Sequence, residues 1–312
     1  MTFPGGKRFA FSILDDTDDS TLENVKPIYD LLRERGLRTT KTVWPLDCPK
    51  GSRHFFAADT LQNKAYRDFV HELVEAGFEV AFHGATMESS RRERTIQGLE
   101  FIRAEFGGYP RLFCNHGYNK ENLYWGSNRY RATPFRLLNR LVPGAVNGRF
   151  EGDKNGSEFF WGDVCRKAIH YVRNFTFERL NLLEINPGMP YRTEGTPYVN
   201  YWFSTADAPD VAAFNRLLSR QAIDKLAAAG GVCLVSTHFG KGFVTEGTVD
   251  RQTEGLLSHV ADKRGWFVPV SDILDWLRRE GGGGRLLTSR EVLSLEARFI
   301  ADRIRQRRSH GT

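Results

Sequence analysis

Four aspartates stand within five residues near the start of the chain, at positions Asp15, Asp16, Asp18 and Asp19. Carboxylates at this spacing repel one another, and a bound divalent cation would relieve the repulsion by reversing the local charge. The aspartates follow an apolar run of strand length and precede a helical pattern, so they lie in a strand-to-helix loop. The pattern indicates a metal or acid–base site, although Asp18 and Asp19 could also serve only to stabilise the helix N-terminus.

Further side chains that could bind a metal or transfer a proton stand at the ends of other apolar runs. His83 ends one predicted strand, Asn115 and His116 end the next, and Thr237 and His238 end a late one. The carboxyl ends of parallel strands meet at one edge of a sheet or one mouth of a barrel. We therefore expect three histidines to face the aspartates in one cavity.

The elements that must position these side chains alternate between strands and helices. Two predicted helices open with capping boxes, Ser20 with Glu23 and Ser90 with Glu93. The predicted strands cover residues 9–14, 39–44, 78–84, 111–117, 231–240 and 265–270, and helices cover 20–36, 64–77, 89–108, 209–229, 250–263 and 271–280. This alternation predicts parallel strands, either in a barrel or in an open doubly wound sheet.

Length and composition restrict the class of protein. A chain of 312 residues, 40% of them hydrophobic, can bury a large core. It has no apolar run long enough for a membrane span and no signal-peptide core, so we expect a cytoplasmic protein without stable membrane insertion. The four cysteines lack a metal-binding spacing. The formal net charge is +6, but no basic motif with interleaved aromatic residues indicates nucleic-acid binding.

Two segments depart from the alternating pattern. Residues 142–203 are rich in glycine, asparagine, proline and aromatic residues, and we predict a site-covering insertion there, within a main domain of residues 1–280. Residues 281–312 are predicted to be a glycine linker and a basic amphipathic helix, capped by Thr288 and Glu291. The apolar stripe of this helix should dock on the body of the protein or on a second subunit, which would make a homo-oligomer. The stripe consists of Val292, Leu295, Phe299 and Ile304.

The order of the motifs gives a resemblance to a known family. "ILDDT", then "EVAFHG" before a capped helix, then "LVSTH" followed by "RGWFVPVSDILDWL", resembles the polysaccharide deacetylases, the NodB-homology or fourth carbohydrate esterase group. The resemblance covers most of residues 8–280. It implies an α/β fold, a distorted (β/α)7 barrel, and a metal-dependent carbohydrate N-deacetylase.

The resemblance also implies roles for the strand-end residues. Asp15 carries over as the catalytic base, and Asp16 and His83 as ligands of one divalent metal ion, most simply Zn²⁺. His238 carries over as the general acid. The metal would polarise an acetyl carbonyl, Asp15 would take a proton from water, and His238 would protonate the departing amine.

Two positions of the family pattern have no direct match. The second metal histidine would fall at Met87, so the third ligand is either Glu88, in a slightly longer loop, or His116 on the next strand. The family arginine that orients the base is also missing from the fourth strand. His116, Asn115 or Asn119 would take over this orienting role.

The substrate would be an N-acetylated sugar in a cytoplasmic saccharide, a nucleotide-linked or lipid-linked sugar, or a small molecule. Aromatic faces suit sugar rings, and polar or charged side chains orient them. The candidate substrate-binding residues lie after strands or in aromatic-rich loops: Asn115, Asn119, Trp125, Tyr198, Trp202 and Lys241.

Two alternatives stay open. Asp16 and Asp18 also form the D-x-D pattern of a haloacid-dehalogenase-type phosphatase, with "VSDILD" as its late acidic motif. The missing second histidine instead favours a degenerate, non-catalytic relative that binds a saccharide. Metal content discriminates among the three, because only the deacetylase requires a metal bound through His83.

Overall fold

Seven parallel strands form a closed barrel, which confirms the predicted (β/α)7 fold. The structure, a computed structural model, describes residues 1–52, 54, 58–141 and 150–309. The strands follow one another in chain order: β1 (Phe9–Asp15), β2 (Thr40–Val43), β3 (Glu79–Phe82), β4 (Leu112–Phe113), β5 (Tyr171–Phe177), β6 (Tyr201–Asp207) and β7 (Gly231–Thr237). Strand β7 pairs back onto β1, from Phe9 opposite Gly231 to Asp15 opposite Thr237, and so closes the barrel.

Strand β1 has three neighbours because two short strands share one of its edges. Ala10 pairs with Trp266, and Asp15, further along the same edge, pairs with Lys41 of β2. Trp266 belongs to β10 (Trp266–Phe267), which follows a small antiparallel hairpin of β8 (Val244–Thr245) and β9 (Thr248–Val249). Strand β1 is buried along its whole length, as expected for a strand covered on both faces.

Helices connect the strands and cover the outside of the barrel. Among the described residues they are α1 (Leu22–Glu34), α2 (Lys64–Glu75), α3 (Arg92–Phe106), α4 (Thr133–Leu141), α5 (Gly162–Ala168), α6 (Val211–Leu217), α7 (Arg220–Ala229), α8 (Arg251–Asp262), α9 (Val270–Arg279) and α10 (Ser289–Ser309). Helix α1 buries Val25, Ile28 and Leu32 completely, at about 1.5–3 kcal/mol each. The helix predicted at 209–229 is two helices, because Ser219 caps α7.

Two of the predicted helix caps are wrong and one is confirmed. Helix α1 starts after Thr21, because the backbone N–H of Ser20 donates to the Thr17 carbonyl oxygen and closes a turn that carries the aspartates. Helix α3 starts after Arg91 without a side-chain cap, and the Ser90 hydroxyl donates to the Glu88 carbonyl oxygen instead. Helix α10 is capped as predicted. The Thr288 N–H donates to the Glu291 carboxylate, and the Glu291 N–H donates to the Thr288 hydroxyl oxygen.

The segment predicted as a covering insertion contains barrel wall. Residues 142–149 lie outside the described residues, and residues 150–203 include all of β5 and the start of β6. Strand β5 reads "YVRNFTF", and its buried polar residues Arg173 and Asn174 interrupt the apolar run that would identify a parallel strand. The domain boundaries at 280 and 281 stay a prediction.

Helix α10 packs on the barrel of its own chain. Val292, Leu295 and Phe299 are buried against the core, whereas Ile304 of the predicted stripe is exposed. Glu296 is buried and accepts hydrogen bonds from the backbone N–H groups of residues 131 and 132. A homo-oligomer through this helix stays a prediction. Within the described part of the chain, no helix combines the length and the apolar character that a bilayer crossing requires.

Candidate active site

Three side chains with metal-binding atoms converge beyond the carboxyl ends of β1, β3 and β4. They are Asp18, His83 and His116, called the ligand cluster below, and their ligand atoms all lie within 4.8 Å of one another. Asp18 Oδ1 is 3.3 Å from His83 Nε2, and Asp18 Oδ2 is 3.4 Å from His116 Nε2. Among the residues that the structure describes, this is the one group of three or more such side chains at ligand spacing.

Neighbouring groups fix the orientation of His83. Its Nδ1 lies 3.0 Å from the Cys114 carbonyl oxygen, which can only accept, so Nδ1 carries the proton and Nε2 directs its lone pair at Asp18. The Trp44 ring packs against both histidine rings of the ligand cluster, at 4.8 Å between centroids. Burial lowers the pKa of His83 despite the nearby carboxylates, which favours the neutral, metal-binding form.

The ligand cluster fits a divalent metal ion. Burial raises the pKa of Asp18, but the neighbouring His116 and His83 imidazoles outweigh it and hold the pKa well below its usual range. Asp18 Oδ1 is a buried atom that accepts no hydrogen bond from the residues that the structure describes. Two imidazole nitrogens and a carboxylate oxygen form a common zinc donor set. Burial lowers the pKa of His116, but the neighbouring Asp18 carboxylate outweighs burial and raises the pKa above its usual value. Metal binding would therefore displace a proton from His116.

Asp16 forms a buried ion pair with Arg173 of β5. Arg173 Nη1 donates to Asp16 Oδ1 at 2.9 Å, and Nη2 donates to Oδ2 at 2.6 Å. Burial raises the pKa of Asp16, but the guanidinium charge outweighs it and lowers the pKa below its usual value. The carboxylate is therefore ionised and held in one orientation. Asp16 was predicted as a metal ligand, but it lies outside the ligand cluster, and Asp18 lies in that position instead.

Asp15, the predicted catalytic base, is buried away from the cavity. Its Oδ2 accepts hydrogen bonds from Tyr29 Oη at 2.9 Å and from Lys41 Nζ at 2.8 Å, and its Oδ1 accepts from the Phe239 N–H at 2.8 Å. Asp15 and Lys41 are both fully buried. The structure therefore gives Asp15 the position of a core ion-pair partner, and Asp16 lines the cavity instead.

His238 approaches the same carboxylates from β7. Its Nε2 is 3.6 Å from Asp18 Oδ2 and 4.0 Å from Asp16 Oδ2. Its Nδ1 lies 2.7 Å from the Pro209 carbonyl oxygen, so Nδ1 donates and Nε2 faces the cavity. The approach needs Gly240, because a Cβ atom there would lie 2.5 Å from the backbone of Asp19.

The predicted third ligand Glu88 lies outside the ligand cluster, and the competing candidate His116 belongs to it. The Glu88 carboxylate accepts a hydrogen bond from Ser52. Asn119, predicted to orient the base or bind substrate, donates to the Glu88 carbonyl and to Glu121, so its amide holds the loop together.

The remaining substrate-binding candidates fall into two groups. Trp125 and Asn115 line the cavity of the ligand cluster, which has a volume of about 230 Å³, and Lys241 Nζ lies 4.0 Å from Asp18 Oδ2. Trp202 is buried with its Nε1 bonded to Thr196, and Tyr198 packs against Phe160. These two aromatic residues stabilise the core of the protein and do not line the cavity.

Sequence reasoning missed several charged residues of the cavity. They come from the 3₁₀ turn Gly126–Arg129, from β5, from β6 and from α10: Arg129, Arg173, Asp207 and Arg303. A lone arginine inside a strand or loop has no distinctive local pattern. The one available signal was the position of Arg173, a charged residue in the middle of an otherwise apolar stretch.

Comparisons with known proteins find relatives by structure. No family model and no curated protein matches the sequence. A protein from Mycobacterium smegmatis assigned to the polysaccharide deacetylases superposes with a TM-score of 0.52 at 14% identity, over 92% of this chain and 96% of that one. A probable polysaccharide deacetylase from Pseudomonas aeruginosa PAO1 gives a TM-score of 0.50 at 13% identity, over 89% and 94%. The chain therefore has the fold of the polysaccharide deacetylases, as the order of its sequence motifs predicted.

Proposed function

We propose that this protein is a metal-dependent hydrolase that removes the acetyl group from an N-acetylated sugar. The observation that carries the proposal is the meeting, in one cavity, of the ligand cluster, the Asp16–Arg173 pair and His238. Amide hydrolysis needs an electrophile, a base and an acid, and these three features can supply them. The deacetylase fold supports the same reaction class.

The ligand cluster would hold one divalent ion, most simply Zn²⁺. When bound, such an ion supplies Lewis-acid polarisation of the acyl carbonyl and makes water more acidic. The donors would be Asp18 and the Nε2 atoms of His83 and His116. The Cys114 carbonyl would keep His83 in the tautomer that can bind.

Asp16 would take the proton from the attacking water. Each of its oxygens accepts one bond from Arg173 and keeps a further lone pair, and the residue lines the cavity. Arg173 then does the orienting work that the family pattern assigns to an arginine. Asp15 cannot act in this way, because its oxygens accept three hydrogen bonds in the core.

His238 would protonate the departing amine. Its Nδ1–H stays bonded to the Pro209 carbonyl, so the transferred proton would be the one that the imidazolium form carries on Nε2, which faces the two cavity carboxylates within 4.0 Å. An amine is a poor leaving group unless it is protonated, so a donor at this place lowers the barrier. Trp125 would offer its ring face to the sugar. A cytoplasmic location of the substrate is part of the proposal.

Acetate release and metal content, measured on the same samples, test the proposal. We expect the purified chain to bind zinc and release acetate from N-acetylated sugars. His83→Ala and His116→Ala should lose both properties, and Asp16→Asn should keep zinc and lose turnover by about a hundredfold or more. His71→Ala is a matched control, because this half-buried histidine pairs with Glu105 away from the cavity.

Two outcomes would overturn the proposal: no divalent metal bound at neutral pH, or full turnover in Asp16→Asn. Zinc bound without acetate release from any N-acetylated sugar would instead support the non-catalytic saccharide binder. The phosphatase alternative has less support. Its late acidic motif would need Asp272 and Asp275 at the cavity, but both pair with Arg111, which precedes β4 at the opposite end of the barrel.

A further inference from the structure

Among the described residues, three arginines line the cavity, and one of them has no acidic partner. Arg173 pairs with Asp16, and Arg303 Nη1 lies 3.2 Å from Asp207 Oδ2. Arg129 has no carboxylate oxygen within 4 Å among the described residues; its one hydrogen bond goes from Nη2 to a backbone carbonyl. Arg129 therefore brings a positive charge into the cavity that no contacting side chain in the described part of the protein neutralises.

The protein holds this guanidinium in a fixed place. It lies 3.9 Å from the ring centroid of Trp125 and 4.8 Å from that of Phe299, and its Nη2 donates to the Asn174 carbonyl at 2.6 Å. Its Nε is buried without an acceptor. Burial, helped by the charge of Arg303, lowers the pKa of Arg129 to about 9, so the group is still protonated at neutral pH.

A fixed, partly buried cation without a counter-charge is costly unless a ligand supplies the counter-charge. The donors of a guanidinium form a planar fork that matches the oxygens of a carboxylate or a phosphate. We infer that the substrate carries a carboxylate or phosphate group, and that Arg129 binds it. This inference rests on the proposed function of the cavity and adds the substrate class, an acidic N-acetylated sugar.

The charge of the rest of the cavity agrees with this inference. The Asp16–Arg173 and Asp207–Arg303 pairs are each neutral, and the ligand cluster has a single carboxylate. A divalent ion in the ligand cluster would therefore leave that part of the cavity positive as well. A neutral sugar would leave both positive groups without a counter-charge, whereas an acidic sugar would compensate Arg129 while its acetyl group faces the ligand cluster.

Isothermal titration calorimetry with three sugars that lack an acetyl group tests the inference without depending on catalytic turnover. The zinc-loaded full chain is titrated with D-glucose 6-phosphate, D-glucuronate and D-glucose, which differ only at C6. We expect at least one anionic sugar to bind about 10–100-fold more tightly than D-glucose, the usual effect of hydrogen bonds to a charged group. The tighter of the two anions tells whether the site prefers phosphate or carboxylate.

Variants assign the preference to Arg129. Arg129→Gln should abolish it, and Arg129→Lys should keep part of it, since lysine retains the charge without the fork. Arg131→Gln is the matched control, because Arg131 is also partly buried, stacks on Tyr124 and bonds to a carbonyl, but does not line the cavity. This control should bind all three sugars as the wild type does.

The inference is overturned if the wild type binds the anionic sugars no more tightly than D-glucose. It is also overturned if none of the three sugars binds measurably. It is also overturned if Arg129→Gln keeps the wild-type preference, because the anion would then bind elsewhere, for example at the metal. Circular dichroism and zinc content of each variant exclude misfolding as a cause. Failure of the proposed function would be recognised separately, because the wild-type protein would then bind no zinc or release no acetate.

Discussion

Three neighbouring carboxylates have three different partners within four residues of the chain. Asp15 pairs with Lys41, Asp16 with Arg173, and Asp18 contacts the histidines of the ligand cluster. The repulsion expected from the sequence is therefore relieved by separate positive or hydrogen-bonding groups, each from a different part of the barrel. This separation places one carboxylate in the core and leaves one for the proposed proton transfer and one for the proposed metal ion.

Asp15 should matter for stability. Asp15→Asn leaves the Lys41 charge buried without a counter-charge, and we expect a loss of about 3–5 kcal/mol in the free energy of unfolding, measured by urea denaturation. Adding Lys41→Met should recover part of the loss. The exposed neighbour Asp19, changed to Asn, should have little effect. Unchanged stability with lost turnover would return the role of base to Asp15.

Residue types at strand ends predicted many of the side chains in the cavity. They did not predict which residue each aspartate contacts, and those contacts distinguish Asp15, Asp16 and Asp18. His83, His116 and His238 could be found because each stands at the end of a predicted strand. The choice of Asp18 over Asp16 depends on the turn that Ser20 closes, which sequence spacing does not specify. Arg173 lies 157 positions after Asp16 and meets it only through the fold.

Elements remote in sequence complete the cavity. Helix α10 contributes Arg303 directly and supports Arg129 with the ring of Phe299, which also packs at 4.8 Å from Phe175. The sequence predicted a basic amphipathic helix here, but not that it would reach the cavity. The structure shows that one of its arginines lines the cavity.

Phe299→Ala should therefore affect both stability and binding. Removing a buried phenylalanine costs about 3–5 kcal/mol, and the freed guanidinium of Arg129 should bind D-glucose 6-phosphate or D-glucuronate several-fold more weakly. Leu293→Ala, on the same helix but exposed, is the control for helix propensity. Urea denaturation and calorimetry measure the two effects. Wild-type anion affinity in a destabilised Phe299→Ala would contradict the supporting role.

The loop after β4 contains a buried acid whose ionisation should weaken the fold. Burial raises the pKa of Glu121 from 4.5 to about 7, although Ser90 and Asn119 donate hydrogen bonds to it. Since the folded-state pKa is the higher one, the stability it contributes is complete below pH 4.5 and is lost as the pH rises through about 7.

Glu121→Gln should remove this pH dependence. The free energy of unfolding of the variant, relative to the wild type, should rise by about 2–3 kcal/mol between pH 4.5 and pH 8, at about 1.4 kcal/mol per pKa unit. Urea denaturation at several pH values measures the slope. Glu34→Gln, at an exposed glutamate, should change nothing with pH. A flat difference for Glu121→Gln would mean that its carboxyl titrates as in water.

Helix and strand periodicity predicted most elements and failed where function interrupts the pattern. Strands β1 and β7 were readable because both are continuous apolar runs. Strand β5 was not, because it places Arg173 and Asn174 in the barrel wall next to the cavity. Burying these polar groups is tolerated only because each has a hydrogen-bond partner, and no local sequence rule specifies those partners.

At the scale of the whole molecule, a metal ion would join loops that follow three strands, β1, β3 and β4. A ligand that binds only the folded chain stabilises it by mass action. We expect zinc at about 100-fold above its dissociation constant to add about 2.7 kcal/mol to the free energy of unfolding. Thermal melting with zinc and with a chelator measures the shift. His83→Ala should melt at the same temperature in both, and a shift that persists would place the zinc elsewhere.

The pairing of β1 with β7 has a consequence for protein synthesis. Phe9 pairs with Gly231, so a ribosome must add 222 further residues after Phe9 before the first residue of β7 exists. At about 5–20 residues per second, this takes about 10–45 s. During that time an apolar strand has only two residues of its edge paired with β2. The nascent chain is therefore exposed to aggregation early, and the yield of folded protein should depend on chaperones and on growth temperature.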